Sequence, residues 1–321
     1  MTTFKEISGQ LIRTLSSDPA NPLEGQIWYN STIGVLKGQE LVAAAWASGG
    51  NLATARGTLA GDGTQTEALA FGGTQPPGTT DSSATEEYNG TSWGPGGNLS
   101  TARRFLGGAG TQTATVAFGG RQPPVGNIAN TEEYNGSAWS GGNNLNTAIR
   151  AMATAGTQTA ALSAGGTGPT NQTEEYDGSS WTISAGTLNT ARGYLAGCGT
   201  QTAALAFGGF PSGNATEEYN GTSWTSVNNM GTSRSGLGGA GIQTAALAFG
   251  GDPARINTEE YDGTNWSNSA GLSTGRAGIA GAGTQASGLG FGGYSPAGNL
   301  NATEEYTTGS IITQASTLTT S

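Results

Sequence analysis

Short apolar runs alternate with glycine-bounded polar turns at a steady interval along most of this chain. The cleanest copy runs from Gly199 to Trp224: GTQTAALAFGG, a variable connection, then TEEYNGTSW. Successive side chains of a strand point to opposite faces, so Ala203, Leu205 and Phe207 share one face and Ala204 and Ala206 the other. Large side chains on one face and alanines on the other suit sheets stacked face to face. The TEEY tetrad recurs at Thr85–Tyr88, Thr131–Tyr134, Thr173–Tyr176, Thr216–Tyr219, Thr258–Tyr261 and Thr303–Tyr306, each time behind a glycine pair. Tetrads lie 42 to 46 residues apart, an interval at which radial β-sheet repeats occur.

Each repeat reads as four strands. The first follows Leu-x-Thr-Ala-Arg, as over Gly193–Gly197. The second, as over Ala203–Phe207, follows a turn at Gly-Thr-Gln-Thr, and the third is the tetrad. An Asn-Gly or Asp-Gly step then signals a two-residue hairpin leading to the fourth strand, which carries Trp93, Trp139, Trp181, Trp224 or Trp266. The phase opens oddly. LVAAAWASGGNLATAR, from Leu41, parallels NGTSWGPGGNLSTAR and aligns Trp46 with the other tryptophans. After Tyr306 no tryptophan follows. A surplus first strand and a missing last one are complementary, so the N-terminal strand is expected to close the sixth sheet. Six four-stranded sheets packed radially make a six-bladed β-propeller. The expected organisation is all-β, with an attachment segment at 1–40, the propeller at 41–306 and a tail at 307–321.

Composition narrows the chemistry. Fifty-seven glycines in 321 residues would suggest disorder if scattered, but in register they mark turns and close-packed faces. A net charge of −10 argues against nucleic acid as a partner, because phosphate contacts need clustered Lys and Arg. Twelve of the 22 acidic residues are the paired glutamates of the tetrads. The lysines are Lys5 and Lys37, both ahead of the repeats, which excludes a P-loop or Schiff-base lysine within them. With no histidine, the usual general base and every His-based metal site are missing. Cys198, the single cysteine, fills a slot held by Ala109, Ala155, Ala240 and Ala282 elsewhere, so it reads as a small core residue and forms no intramolecular disulfide. The start lacks the apolar run of a signal peptide, and no membrane span follows.

Residues 1–40 have another texture. Pro19, Pro22 and Gly25 make turns ahead of a short strand at Gln26–Tyr29, a turn near Gly34 and Val35–Lys37, a hairpin too small to be stable alone. The run DPANPLEGQIWYN with its following LKG, over residues 16–38, resembles a segment common near the start of tail-fibre-like and other bacteriophage virion proteins. That resemblance implies attachment to other virion proteins, with Trp28, Tyr29 and Lys37 as contact residues. Over 41–306, the glycine pair closing strand two, the tyrosine on strand three and the tryptophan on strand four resemble the kelch repeat. This implies a kelch-like propeller, a fold that serves enzymes, adaptors and virion parts alike. The third repeat departs from the pattern, with Ile149 in place of the recurrent arginine (Arg56, Arg103, Arg192, Arg234, Arg276) and Ala164 in place of the phenylalanine.

Paired glutamates invite a glycosidase reading, but neighbouring residues on a strand face opposite ways and cannot serve one bond. Glu86, Glu132, Glu174, Glu217, Glu259 and Glu304 share a face with the tyrosine and should be partly buried, so each needs a counter-ion. The recurrent arginine supplies it, and in the third repeat Arg150 is the expected substitute. One kelch-type enzyme family uses a copper radical, which requires histidines and a tyrosine–cysteine pair, and this chain has no histidine. No cofactor or metal is expected, and Asn-Gly-Thr matches such as Asn89–Thr91 read as turns, not glycan sites. Trp46, Trp93, Trp139, Trp181, Trp224 and Trp266 are expected in structural roles. The connections between strands two and three vary most, which is where function resides on a rigid scaffold. They carry Arg121, Phe210, Arg255 and Tyr294, residue types common at interfaces; the bland alternative is tolerated insertions.

The expected function is a non-enzymatic virion component on a tail, fibre or capsid surface, present in several copies. One loop face would be turned to a host-surface glycan or protein, without nucleic-acid binding or membrane insertion. The alternative is a stand-alone carbohydrate-binding module, and an enzyme ranks third.

Overall fold

The computed structural model describes residues 12–76 and 80–317. The first eleven residues of the expected attachment segment, Lys5 among them, and the last four of the tail lie outside this range. Every regular element among the described residues is a strand. The chain divides into two units, one of Ala45–Thr307 and one joining the residues up to Ala44 with those from Thr308 onward.

The larger unit holds six four-stranded antiparallel sheets in a propeller-like arrangement. In the sheet of the cleanest repeat, Ala196–Thr200, Ala203–Phe207, Thr216–Tyr219 and Trp224–Val227 follow one another in sequence order. Leu205 lies opposite Cys198 and Glu218, and Tyr219 lies opposite Trp224. The first strand of each sheet abuts the first strand of the next, and that of the sixth sheet abuts that of the first. Ala45–Ser48 supplies the fourth strand of the sheet containing Ala280–Gly283, Gly288–Phe291 and Thr303–Thr307, with Trp46 opposite Tyr306.

Small residues dominate the inner strands for a steric reason. A Cβ on Gly61 would come 2.2 Å from Cζ of Phe291, and one on Gly281 would come 2.8 Å from Cζ of Phe249. The phenylalanine of one sheet's second strand thus occupies the room left by a glycine in the neighbouring sheet. The same phenylalanines meet tryptophans: ring centroids are 4.8 Å apart for Trp93 and Phe291, and 5.1 Å apart for Trp139 and Phe71. The sheet interfaces are therefore aromatic toward the outer strands and nearly side-chain-free toward the axis.

Two local expectations are corrected. The first strand begins at Ala196, not Gly193, because Gly193 is taken up in a bridge to Phe210. The hairpin between strands three and four turns on Gly221–Thr222, not Asn220–Gly221, since the Asn220 N–H bonds the Ser223 carbonyl at 3.2 Å. Gly221 sits at φ +89°, a left-handed conformation that glycine adopts without steric cost. Oδ1 of Asn220 accepts from the N–H groups of Thr222 and Ser223 at 3.0 and 2.9 Å. Asn and Asp share this slot because both accept such bonds.

The smaller unit is more than a hairpin. Arg13–Leu15 runs parallel to Ile27–Asn30, which pairs with Val35–Val42, and Val35–Val42 pairs along its full length with Ser310–Thr317. The expected attachment segment and tail, placed in separate regions above, therefore share one sheet. A two-stranded hairpin is marginal alone, and added strands supply the missing stability. Asp18 gathers the conspicuous residues of this region: it accepts from Trp28 Nε1 at 3.0 Å and Asn30 Nδ2 at 2.8 Å, and ion-pairs with Lys37 at 2.5 Å. The Lys37 ammonium, with these two donors, holds the Asp18 carboxyl down to about 2. Trp28 is 1% exposed, so it is a core residue here and is not presented to a neighbouring chain. Lys37 is engaged by Asp18, and Tyr29 is half-buried.

Trp46 lies with its ring centroid 5.1 Å from Tyr306 and 5.0 Å from Phe249, and its Nε1 donates to Thr258 Oγ1 at 3.0 Å. Trp46→Ala should lower unfolding stability by ~3–5 kcal/mol, matching Trp224→Ala in urea titrations followed by circular dichroism. A Trp46→Ala protein as stable as wild type would show that Ala45–Ser48 is dispensable to the sixth sheet.

Candidate functional site

The tetrad glutamates have structural partners in every repeat. In five repeats the first glutamate faces the arginine preceding its sheet: N···O distances are 2.8 Å for Arg56–Glu86 and Arg103–Glu132, 2.9 Å for Arg192–Glu217 and 3.0 Å for Arg234–Glu259, and Arg276 pairs likewise with Glu304. These arginines are fully buried. Nη1 of each also donates to two backbone carbonyls, as Arg103 does to Gly119 and Asn130. Burial pulls the guanidinium pKa values down, and the glutamate opposes that pull. In the third repeat Arg150 does not substitute. It donates to Asn127 Oδ1 at 2.7 Å and lies 6.0 Å from the Phe105 ring centroid. Glu174 instead accepts from Gln172 Nε2 at 2.9 Å, from Asn146 Nδ2 and from the backbone N–H groups of Asn146 and Thr147. Hydrogen bonds from neutral donors replace the cation.

The second glutamate joins sheets. Each tetrad tyrosine donates its hydroxyl to the second glutamate of the preceding repeat: Tyr134 to Glu87, Tyr176 to Glu133, Tyr219 to Glu175, Tyr261 to Glu218 and Tyr306 to Glu260, with Tyr88 donating to Glu305. Burial, and then the carboxylate bond, push the Tyr88, Tyr134 and Tyr219 hydroxyls up to about 12. The same interfaces carry tryptophan bonds to the tetrad threonines, such as Trp139 Nε1 to Thr85 at 2.9 Å and Trp93 to Thr303 at 2.9 Å. Each turn glutamine reaches two carbonyls of the preceding sheet, as Gln201 does to Ala161 at 3.0 Å and Tyr176 at 2.6 Å. Cys198 is buried, and desolvation pushes its thiol up to about 12, away from the thiolate a nucleophile needs.

Two of the four recognition candidates, Phe210 and Tyr294, meet at one end of the axis. A cavity of about 390 Å³ opens there, lined by all six repeats. Its floor is aliphatic: Leu59, Leu106, Met152, Leu195, Leu237 and Ile279, one from each repeat. Above the floor lies a ring of Thr58, Phe105, Ala151, Tyr194, Gly236 and Gly278, all at φ between +53° and +59°. The N–H of each donates to the carbonyl of the one before it, and Thr58 closes the circle onto Gly278 at 2.8 Å. Phe210 and Tyr294, expected on the recognition face, line this cavity. Arg121 and Arg255 do not line it: Arg121 bridges to Arg104, and Arg255 to Arg276. Sequence reasoning missed Phe105, Tyr194 and Asp252. The available signal was an aromatic residue at a slot where two other repeats carry glycine.

Asp62 is a fourth missed residue. It occupies the alanine slot shared with Cys198, and a Cβ on Gly108 of the next sheet would come 2.5 Å from its Oδ2. That oxygen is buried without a hydrogen-bond partner. Desolvation pushes the Asp62 carboxyl up to about 7, against a hydrogen bond from Thr115. Thr115 itself stands where other repeats have alanine or glycine, so the two unusual residues meet across one sheet interface. Among the described residues there is no cluster of three or more His, Cys, Asp or Glu side chains placed to hold a metal, and no helix is long and apolar enough to cross a membrane.

No family model and no curated protein matches the sequence. Among solved structures, that of YjhT superposes with a TM-score of 0.67 at 12% identity, covering 82% of this chain and 99% of its own. At that identity the likeness is one of fold.

Arg103→Met should strand the buried Glu132 and lower stability by ~3–5 kcal/mol, measured by chemical denaturation. Gln172→Leu should have the smaller effect, because Glu174 keeps its backbone donors. The Asp62 carboxyl has a folded pKa raised above its unfolded value, so the folded state holds the proton more tightly. Its contribution is intact below pH 4 and is lost as pH rises through about 7. Asp62→Ala should therefore stabilise the protein at pH 8 by roughly 2–4 kcal/mol and change little at pH 4. Thermal melts across that range check the slope.

Proposed function

We propose that this chain is a non-enzymatic bacteriophage virion component. Its larger unit is a six-bladed kelch-like propeller presenting the variable loop face, and its smaller unit docks onto other virion proteins. The observation that carries this reading is the union of residues before and after the repeats in one sheet to which no repeat contributes a strand. The motif that resembles virion proteins is built around Asp18, whose partners Trp28, Asn30 and Lys37 all fall within it or at its edge. A segment with its own polar hub and its own sheet has the makings of a docking module.

The distribution of carboxylates supports a role without catalysis. All twelve tetrad glutamates are engaged in fastening the fold, by arginine, tyrosine or the Gln172 set. What varies between repeats is the loop face and the cavity beneath it, which favours recognition as the work of the larger unit. A free carbohydrate-binding module is the second reading, favoured by the aromatic lining of that cavity.

Removal of residues 1–44 and 308–321 separates the two readings. The shortened protein should accumulate in the infected host yet be missing from purified phage particles, measured by immunoblot against wild type. Incorporation at wild-type level would overturn the docking role and leave the free binding module.

A further inference from the structure

We infer that the axial cavity binds a neutral saccharide, with Phe105 and Tyr194 as the surfaces on which a sugar ring lies. The inference deepens the recognition half of the proposed function and rests on it.

The ring of left-handed residues provides the starting point. Gly236 and Gly278 take that conformation without penalty. Phe105 at φ +53° and Tyr194 at φ +59° are bulky residues in a region where bulk is a genuine outlier, and such outliers gather at ligand sites. The ring of backbone hydrogen bonds does not need them, because Gly236 and Gly278 make the same bonds. Their side chains accordingly serve something beyond the ring.

What they build is a corner. The two aromatic rings stand at 84° with centroids 5.6 Å apart, directly above the aliphatic floor. Arg150, anchored by Asn127, backs the Phe105 ring. Phe210, 64% exposed, stands at the rim with Asp252, Ser235 and Tyr294. Tyr294 lies over the position a Cβ on Gly278 would take, 2.7 Å from its Cε1, so glycine at that ring position makes room for it.

A pyranose matches this surface on both its sides. Its C–H face packs on aromatic rings, while its hydroxyls meet a carboxylate and hydroxyl groups. The volume of about 390 Å³ lies in the range of small-molecule sites and admits one or two sugar rings. Charge selects among sugars. Asp252 lines the cavity and neither Lys nor Arg does, Arg150 lying behind the Phe105 ring, so a carboxylated sugar would meet like charge in the lining.

Saturation-transfer NMR on the full-length protein tests this, with glucose, galactose, N-acetylglucosamine, maltose and lactose as neutral probes and glucuronate and galacturonate as acidic ones. At least one neutral sugar should receive saturation on its ring C–H protons. Phe105→Gly and Tyr194→Gly should each weaken its affinity at least tenfold, while the thermal midpoint stays level or rises as backbone strain is relieved. Transfer to none of the sugars, stronger transfer to the acidic ones, or undiminished binding by both glycine variants overturns the inference. So does a fall in midpoint on glycine substitution, which would make the aromatics packing residues. Phage particles carrying Tyr194→Gly should still incorporate the protein, so failure here is distinguishable from failure of the docking role.

Discussion

The larger unit depends on a hydrogen bond handed from each sheet to the next. A tyrosine hydroxyl donates to a glutamate of the preceding repeat, and the chain of donations closes when Tyr88 meets Glu305. Neighbouring repeats also share aliphatic surface, as where Leu162 clusters with Leu188 and Leu195. Apolar burial is non-directional, so the directed bonds set the angle between sheets. Each interface carries three kinds of link, from tyrosine, tryptophan and glutamine, and any one of them fixes registry along the strands. Burying a carboxylate is unfavourable unless it is bonded, so a sheet that slips by one residue strands charges as well as exposing apolar faces.

The arginine–glutamate pairs work within a repeat. Each arginine ties the segment ahead of the first strand to the carbonyls around the glycine pair and to the third strand. The third repeat shows that the requirement is for donors, not for a positive charge. There Glu174 is satisfied by two amide side chains and two backbone N–H groups, and Ile149 is a core residue at the arginine's position. Arg150, one position along and aligned with Arg104, bonds Asn127 and lies against Phe105.

Much of this was legible in the sequence because period-2 alternation and fixed spacing are geometric constraints. The phase of LVAAAWASGG placed Trp46 beside the other tryptophans without any knowledge of contacts. The burial of the first glutamates followed from their sharing a face with tyrosine. The inter-sheet links were not legible, because a pattern repeated within one chain cannot say which copy touches which. The cavity was legible only in the slots of Phe105 and Tyr194, where two other repeats carry Gly236 and Gly278; that these slots form one ring shows only in the backbone. The terminal sheet was hidden for another reason: Val35–Val42 and Ser310–Thr317 are strand-like separately, and nothing local marks partners so distant in sequence.

The molecule has two covalent crossings between its units, one at Ala44–Ala45 and one at Thr307–Thr308, near strands paired over eight residues. A protease that cuts either crossing leaves the repeats tethered by the other. Release takes both cuts, or one cut together with loss of the strand pairing. The connection is redundant in the way a double-stitched seam is, and the protein keeps its larger unit through any single nick at these crossings.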